Sequence, residues 1–282
     1  MTTGNDNLYK TDPCPPWRAE ASAKAADPCL EKQPMRTYTI GPLRRVLHRG
    51  VESFFPPVCP VCMKALWRPE DGQVCAQCQE DLKAISAPFC IRCGLPFSDS
   101  GPHECGDCLA DPPSFRTMRA AYIYQGALRQ AILRFKMNRE TSRDGPLAGL
   151  LLATEPLGID WESYDLVLPV PLHDNRIRWR GYNQSALMVR QVARMRRIAW
   201  TDQLLVRRRD TTPQFSVERA KRKENIKGAF ICADKEGVSR MSVLMVDDIT
   251  TTGSTIRECA KVLREAGASV VDGAVLARAI PE

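Results

Sequence analysis

The chain has 282 residues, of which 44% are hydrophobic, and it carries a formal net charge of +7. This length suits one full α/β domain with a smaller unit beside it. No stretch approaches the ~18 apolar residues of a membrane-spanning helix, and residues 1–32 hold no signal-peptide run. We therefore expect a cytoplasmic protein without a membrane span.

The beginning of the chain differs in composition from the rest. Residues 1–40 are rich in Pro, Ala, Asp, Lys and Thr without periodicity, which predicts a disordered N-terminal extension. Residues 41–112 are expected to form an amphipathic helix followed by a cysteine module. The helix is predicted over residues 43–55, where apolar side chains recur at helical spacing before Pro56 and Pro57 end it.

Cysteines are concentrated in that module: ten of the twelve lie before Leu109. Eight of them form four C-x-x-C pairs, separated by 12, 11 and 11 residues. Two such pairs provide the tetrahedral thiolate shell that zinc prefers. We predict two structural Zn²⁺ ions, the first held by Cys59, Cys62, Cys75 and Cys78, and the second by Cys90, Cys93, Cys105 and Cys108.

Other interpretations of the cysteine pairs are weaker. Disulfides are disfavoured in the cytosol, and iron–sulfur proteins usually space their ligands differently. A crossed arrangement, in which the first pair shares a metal with the third, remains open from the sequence. In either arrangement the closed sites would supply folding energy to a segment with little core of its own.

Strand and helix patterns alternate through residues 113–282, which we predict to be one α/β domain with a parallel sheet. Helices are predicted at 127–137, 146–153, 185–196 and 255–266. Strands are predicted at 120–124, 166–171, 243–246 and 269–276.

Basic residues are concentrated within this domain. Residues 173–228 contain fifteen Lys and Arg against five Asp and Glu. Such a block favours an anionic partner, either phosphate or nucleic acid, although a solvated helix face is the simpler interpretation.

The most informative segment is residues 243–255. An apolar strand is followed by Asp247 and Asp248, then by a run of hydroxyl and glycine residues that opens a helix. Carboxylates at the end of a parallel strand lie where α/β proteins bind ligands, and they accept hydrogen bonds from ribose hydroxyls. Backbone N–H groups, hydroxyls and the helix N-terminus suit a phosphate. The predicted phosphate and ribose ligands are Thr250, Thr251, Thr252, Gly253, Ser254 and Thr255.

Two simpler interpretations each account for part of this segment. The two aspartates alone are compatible with a metal or phosphoacceptor pocket, and Thr-Gly-Ser alone is compatible with an ordinary helix cap. Neither accounts for the whole.

The loop resembles the phosphoribosyl-pyrophosphate signature of type I phosphoribosyltransferases, and residues 43–279 resemble the ComF family, which is linked to DNA uptake in competence. In this chain the loop reads Ile-Thr-Thr-Thr-Gly, a conservative departure from the commoner Val-x-Thr-Thr-Gly. The other motifs that carry the resemblance are the double zinc ribbon, Tyr122-Ile123-Tyr124, Leu133-Arg134-Phe135-Lys136, Pro169-Val170-Pro171-Leu172-His173, Arg180-Gly181-Tyr182-Asn183-Gln184, and the segments 209–214 and 222–230.

The resemblance implies a type I fold: a central parallel sheet flanked by helices, a small hood, and the N-terminal double zinc ribbon. It implies phosphoribosyl pyrophosphate bound with Mg²⁺, and a pyrophosphate side formed by Val170, Pro171, Leu172, Arg180, Asn183, Gln184 and Lys136. Arg207, Arg208 and Arg209 resemble a mobile basic loop that closes over pyrophosphate. His173 either orients a phosphate or caps a turn.

Three functions are compatible with these residues. In the first, a ComF-like protein binds phosphoribosyl pyrophosphate in DNA uptake, as a possible pentosyl transferase in which Asp247 and Asp248 hold the ribose and position Mg²⁺. In the second, a non-catalytic protein binds single-stranded DNA through Trp179, Tyr182 and nearby arginines, and uses the phosphoribosyl site for regulation. In the third, the chain is a nucleotide-salvage phosphoribosyltransferase unrelated to competence.

Overall fold

A computed structural model describes residues 58–59, 61–66, 74–98, 101–211 and 222–280. The predicted N-terminal extension (1–40) and the predicted amphipathic helix (43–55) lie outside these residues, as does part of the 209–214 motif.

Strands and helices alternate along the described chain. The strands are β1 (Met118–Ile123), β2 (Leu166–Pro169), β3 (Leu205–Arg207), β4 (Phe230–Cys232), β5 (Ser242–Thr250) and β6 (Val270–Arg278). The α-helices are α1 (Ala76–Asp81), α2 (Gly106–Ala110), α3 (Gly126–Met137), α4 (Asp144–Leu151), α5 (Asp174–Arg180), α6 (Gln184–Arg196), α7 (Arg222–Ile226), α8 (Lys235–Val238) and α9 (Ser254–Glu265). Short 3₁₀ turns occupy Thr141–Arg143, Leu152–Leu157 and Trp161–Ser163.

Four strands form one parallel sheet in the order β1-β6-β5-β2, which confirms the predicted parallel sheet flanked by helices. A separate antiparallel sheet pairs β3 with β4, as expected of a small hood.

Both faces of the parallel sheet are buried. Leu244 and Val246 pack into one core with α3, α4 and α6. Val243 and Met245 pack into the other, with α9 and the small sheet. Two buried faces explain why this strand reads as a continuous apolar run instead of an alternating one.

Strand β5 extends further than the sequence predicts. It continues past Val246 through both aspartates to Thr250, because β6 runs beside it and supplies partners for Asp247 at Val275 and for Thr250 at Arg278. The aspartates are therefore held on a rigid strand and not on a loop.

The cysteine module covers the outer edge of β1. Ala84 bridges Tyr122 in antiparallel fashion, the Ile85 N–H donates to the Ala121 carbonyl at 2.9 Å, and the Ile123 N–H donates to the Lys83 carbonyl at 2.8 Å. Covering an exposed strand edge removes a template for aggregation. The module is thus part of the fold of the domain.

Among the residues that the structure describes, no helix has the length and apolarity to span a membrane.

Candidate functional site

The carboxylate pair lies at the carboxyl end of β5. Asp247 is partly buried, whereas Asp248 is buried. Lys136, near the end of α3, places its Nζ 2.9 Å from Oδ2 of Asp248. The resemblance assigns Lys136 to the pyrophosphate side; in the structure its ammonium group contacts a site carboxylate.

The two aspartates differ in their electrostatic environment. Burial, followed by the charge of Asp248, raises the pKa of Asp247 to about 7. Lys136 and the Ser185 hydroxyl oppose this rise. Two adjacent carboxylates that are partly removed from water repel each other when both are ionised. The pair therefore favours ligands that bring hydroxyl donors or a cation.

Ser185 joins the carboxylates to the predicted pyrophosphate side. Its Oγ donates to Oδ1 of Asp247 at 3.0 Å, and its backbone N–H donates to Oδ1 of Asn183 at 3.0 Å. Asn183 caps α6 and also donates from Nδ2 to the Val170 carbonyl at 3.0 Å. Asn183 therefore connects the turn after β2 to the start of α6 and, through Ser185, to Asp247.

A hydrogen bond to β5 also holds the turn after β2 in position. The Val170 N–H donates to the Val246 carbonyl at 2.8 Å, and Val170 and Pro171 are buried while Leu172 is partly buried. Arg180 donates to Oε1 of Gln184, and Gln184 is buried at the first turn of α6.

The predicted phosphate loop connects β5 to α9. Gly253 precedes the helix with φ +78°, and a Cβ there would lie 3.0 Å from Cε of Met118. The positive φ favours glycine, and the close approach of Met118 leaves little room for a Cβ. Thr252 Oγ1 lies 2.6 Å from Ser254 Oγ, and the Thr250 carbonyl accepts from the Ala279 N–H at 2.8 Å. Thr251 and Thr255 are partly buried on either side of this pair.

The arginine run 207–209 is not a single loop. Arg207 lies within β3, is only 6% exposed and donates to Oγ1 of Thr211. Burial, followed by the charge of Arg176, lowers its pKa to about 10. Arg208 and Arg209 follow the strand and are exposed.

His173 has a capping role here. Its Nδ1 accepts from the Asn175 N–H at 3.2 Å at the start of α5, and it lies 3.6 Å from Oδ2 of Asp210. The turn-capping interpretation of His173 therefore accounts for its contacts.

The two aromatic residues proposed for nucleic acid have different environments. Tyr182 donates its hydroxyl to the Phe135 carbonyl and packs on the Phe135 ring, with ring centroids 5.8 Å apart. Trp179 is 60% exposed, and its carbonyl accepts from Arg139 at 3.2 Å.

The eight predicted metal ligands fall into two groups of four. In each group the sulfur atoms all lie within 4.8 Å of one another, and the pairing is sequential, not crossed. The groups are Cys59, Cys62, Cys75 and Cys78, and Cys90, Cys93, Cys105 and Cys108.

The chemistry of both groups fits a divalent cation. Burial alone would raise the pKa of Cys90, but backbone N–H groups including those of Cys93 and Cys105 lower it to about 7. Burial and neighbouring thiolates raise the pKa of Cys108. Four thiols at this separation do not all ionise without a compensating cation, and Zn²⁺ with four thiolates is the usual solution.

Sequence reasoning missed Ser185 and did not pair Lys136 with Asp248. The position of Ser185 could have been inferred locally, because it is the second residue of a helix that Asn183 caps. The contact between Lys136 and Asp248 could not, since α3 and β5 are far apart in the chain.

Comparisons with known proteins agree with this architecture. A family model described as a double zinc ribbon domain matches residues 50–109, and one described as a phosphoribosyl transferase domain matches residues 166–280. The chain therefore has a type I phosphoribosyltransferase domain with a parallel sheet and flanking helices, preceded by a zinc ribbon with two four-cysteine groups.

Full-length relatives match both parts of the chain. Competence protein F of Haemophilus influenzae is 33% identical over 235 residues, which cover 80% of this chain and 99% of that protein. DNA utilization protein YhgH of Salmonella typhimurium is 31% identical over 230 residues, covering 80% and 98%. Competence protein ComFC of Bacillus subtilis is 25% identical over 204 residues, covering 70% and 80%.

Proposed function

Because this chain belongs to the ComF family of competence and DNA-utilisation proteins, we propose that it binds phosphoribosyl pyrophosphate with Mg²⁺ and acts in DNA uptake. The observation that carries the binding proposal is the convergence of Asp247, Asp248 and the hydroxyl loop at one edge of the parallel sheet. Ligands of α/β proteins bind at this edge.

Each part of the ligand has a chemical counterpart. The ribose hydroxyls donate to Asp247, replacing or adding to the hydrogen bond from Ser185. The 5′-phosphate accepts from the loop hydroxyls and from N–H groups at the start of α9. The pyrophosphate lies towards the turn at Val170–Leu172 and towards Arg180, at the end of α5, which contacts Gln184 at the start of α6.

Mg²⁺ suits this arrangement because it keeps several waters and takes most of its other ligands from substrate phosphates. When bound, it would neutralise the pyrophosphate oxygens. Asp248 is already paired with Lys136, so Asp247 is the carboxylate that meets the ligand more directly.

Titration calorimetry with phosphoribosyl pyrophosphate and Mg²⁺ tests the site. We expect binding by the wild type and loss of at least about tenfold in affinity for Asp247→Asn/Asp248→Asn, since two polar contacts at ~1 kcal/mol or more each are removed. Asp160→Asn, a carboxylate that caps a turn before β2, is the matched control and should bind normally. Equal affinity in the double variant would refute the site.

Pentosyl transfer is tested separately by pyrophosphate release over a panel of acceptor bases. Transfer forms a bond from the acceptor nitrogen to C1 of the ribose while the C1–O bond to pyrophosphate breaks. Release with a base establishes an enzyme, and release with a salvage base would favour the nucleotide-salvage alternative. Binding without release supports a ligand-regulated protein.

A second candidate function, single-stranded DNA binding, is supported by the exposure of Trp179. Its side chain is 60% exposed and lies between Arg178 and Arg180 in the sequence, on a helix that follows the candidate pyrophosphate turn. An exposed aromatic ring provides a stacking platform for a base, and the two neighbouring arginines of the same helix add positive charge that attracts phosphates.

A further inference from the structure

The second four-cysteine group contacts the helix that opens at the phosphate loop. Arg257 lies on the first turn of α9, and its Nη2 donates to Sγ of Cys108 at 3.1 Å. Its Nη1 donates to the Asp111 carbonyl at 2.6 Å, and its guanidinium lies 5.7 Å from the centroid of the Phe115 ring. The side chain is 14% exposed, so these contacts fix its position.

A second arginine reaches the same group from β6. Arg278 is only 2% exposed and donates from Nη1 to the Cys93 carbonyl at 2.6 Å. It pairs in the sheet with Thr250, the first residue of the phosphate loop. Burial lowers the pKa of Arg278, while the surrounding thiolates of this group oppose that shift.

The charges of these groups are complementary. Four thiolates around Zn²⁺ leave a net charge of about −2, and two guanidinium groups supply an equal positive charge beside it. Outer-shell donors of this kind orient metal ligands and tune the metal site. Arg257 also lies near a carboxylate, with its Nη1 3.7 Å from Oδ2 of Asp111, so the metal centre is one of two anionic partners of this arginine.

The phosphate loop and this cysteine group also share one cavity of about 320 Å³. Thr251, Thr252 and Arg257 line it from the domain, and Cys93 and Cys105 line it from the ribbon. The phosphate loop and the second cysteine group therefore face each other across this cavity.

The first cysteine group makes different contacts. Near this group, Arg143 donates to the Val61 carbonyl at 3.2 Å, and the Ala127 N–H at the start of α3 donates to Asp81 at 2.6 Å. Within the described residues these contacts do not involve α9.

We propose that Arg257 is a positioning residue through which zinc at the second cysteine group and ligand at the phosphate loop stabilise each other. The proposal rests on the proposed function, because it takes phosphoribosyl pyrophosphate as the ligand. Zinc fixes Cys108, Cys108 fixes Arg257, and Arg257 fixes the first turn of α9. Coupling between two sites is reciprocal, so bound ligand must hold the second zinc more tightly.

The test measures zinc release from the wild type. A thiol-blocking reagent displaces the metal, a chromogenic zinc chelator reports it, and the experiment is run with and without phosphoribosyl pyrophosphate and Mg²⁺. We expect two release phases, one of which slows about fivefold or more with ligand, the usual lower end of coupling between sites. Equal slowing of both phases would indicate general stabilisation and overturn the proposal.

Two variants of Arg257 show which release phase belongs to the second cysteine group. Arg257→Met keeps an apolar stem and removes the donor to Cys108, so it should accelerate the ligand-sensitive phase and abolish its response to ligand. Arg257→Lys should restore part of the response. Lys261→Met, on the next turn of α9 with its side chain 52% exposed, should behave as the wild type.

Calorimetry on the same samples separates the two proposals. A wild type that does not bind phosphoribosyl pyrophosphate would overturn the proposed function and, with it, the coupling. A wild type that binds while both release phases stay unchanged would overturn the coupling alone.

Discussion

The ammonium group of Lys136 lies 2.9 Å from Oδ2 of Asp248, whose side chain is only 3% exposed. The lysine comes from α3 and the aspartate from β5, so the contact joins a flanking helix to the edge of the sheet where the ligand is proposed to bind. It also sets the charge of the site, because it neutralises one of two adjacent carboxylates.

We predict that Lys136→Met lowers the free energy of unfolding by about 3 kcal/mol, because it leaves a buried carboxylate without its cation. Adding Asp248→Asn should recover most of that loss, since the uncompensated charge is then gone. Urea denaturation at neutral pH measures both values. If the losses of the two single variants simply add in the double variant, the pair is not energetically coupled.

The raised pKa of Asp247 predicts how stability changes with pH. Between its ordinary value near ~4 and about 7, the folded protein keeps a proton that the unfolded chain has lost. The contribution of Asp247 to stability is therefore greatest at low pH, falls as pH rises through this window, and is constant above it.

Asp247→Asn should remove that decline and make the protein relatively more stable at pH 8. About two of the three pKa units of this shift fall between pH 5 and pH 8, which would give ~2.7 kcal/mol in that range. We expect a smaller difference of about 1–2 kcal/mol, because the side chain is partly exposed. Urea denaturation of both proteins across the range measures it. Parallel curves for the two proteins would contradict the prediction.

The sequential grouping of cysteines predicts which pairs of substitutions remove both metals. Elemental analysis should find two zinc ions per wild-type chain. Cys62→Ala/Cys75→Ala should leave one, because both residues belong to one group, whereas Cys62→Ala/Cys90→Ala should leave none. A crossed arrangement would give the opposite pattern.

Exposure of Trp179 predicts a contribution to single-stranded DNA binding. Trp179→Ala should weaken binding of an oligothymidine by ~1–3 kcal/mol, the usual value for one stacked base. Fluorescence anisotropy at several salt concentrations measures it, and the affinity of the wild type should fall as salt rises. Met195→Ala, an exposed apolar residue on α6, is the control; equal affinities for wild type and Trp179→Ala would exclude the stacking role.

Much of the fold was predictable because it depends on local patterns. The helix predicted at 127–137 is α3 within one residue, and the apolar run at 243–246 is the continuously buried part of β5. Periodicity in a short window carries this information. The end of β5 was not predictable, since Asp247 and Asp248 have low strand propensity and are held in the strand by β6.

The sequence by itself determined the elements whose chemistry lies in contiguous residues: four cysteine pairs, the Asp-Asp-hydroxyl loop and the glycine that the loop requires. Only the tertiary structure decided how the cysteine pairs share metals, that Lys136 neutralises Asp248, that Ser185 joins Asp247 to Asn183, and that Arg257 joins the phosphate loop to Cys108. The reason is physical. Spacing along the chain specifies which groups a short segment can present, whereas a contact between distant segments depends on packing that no single segment contains.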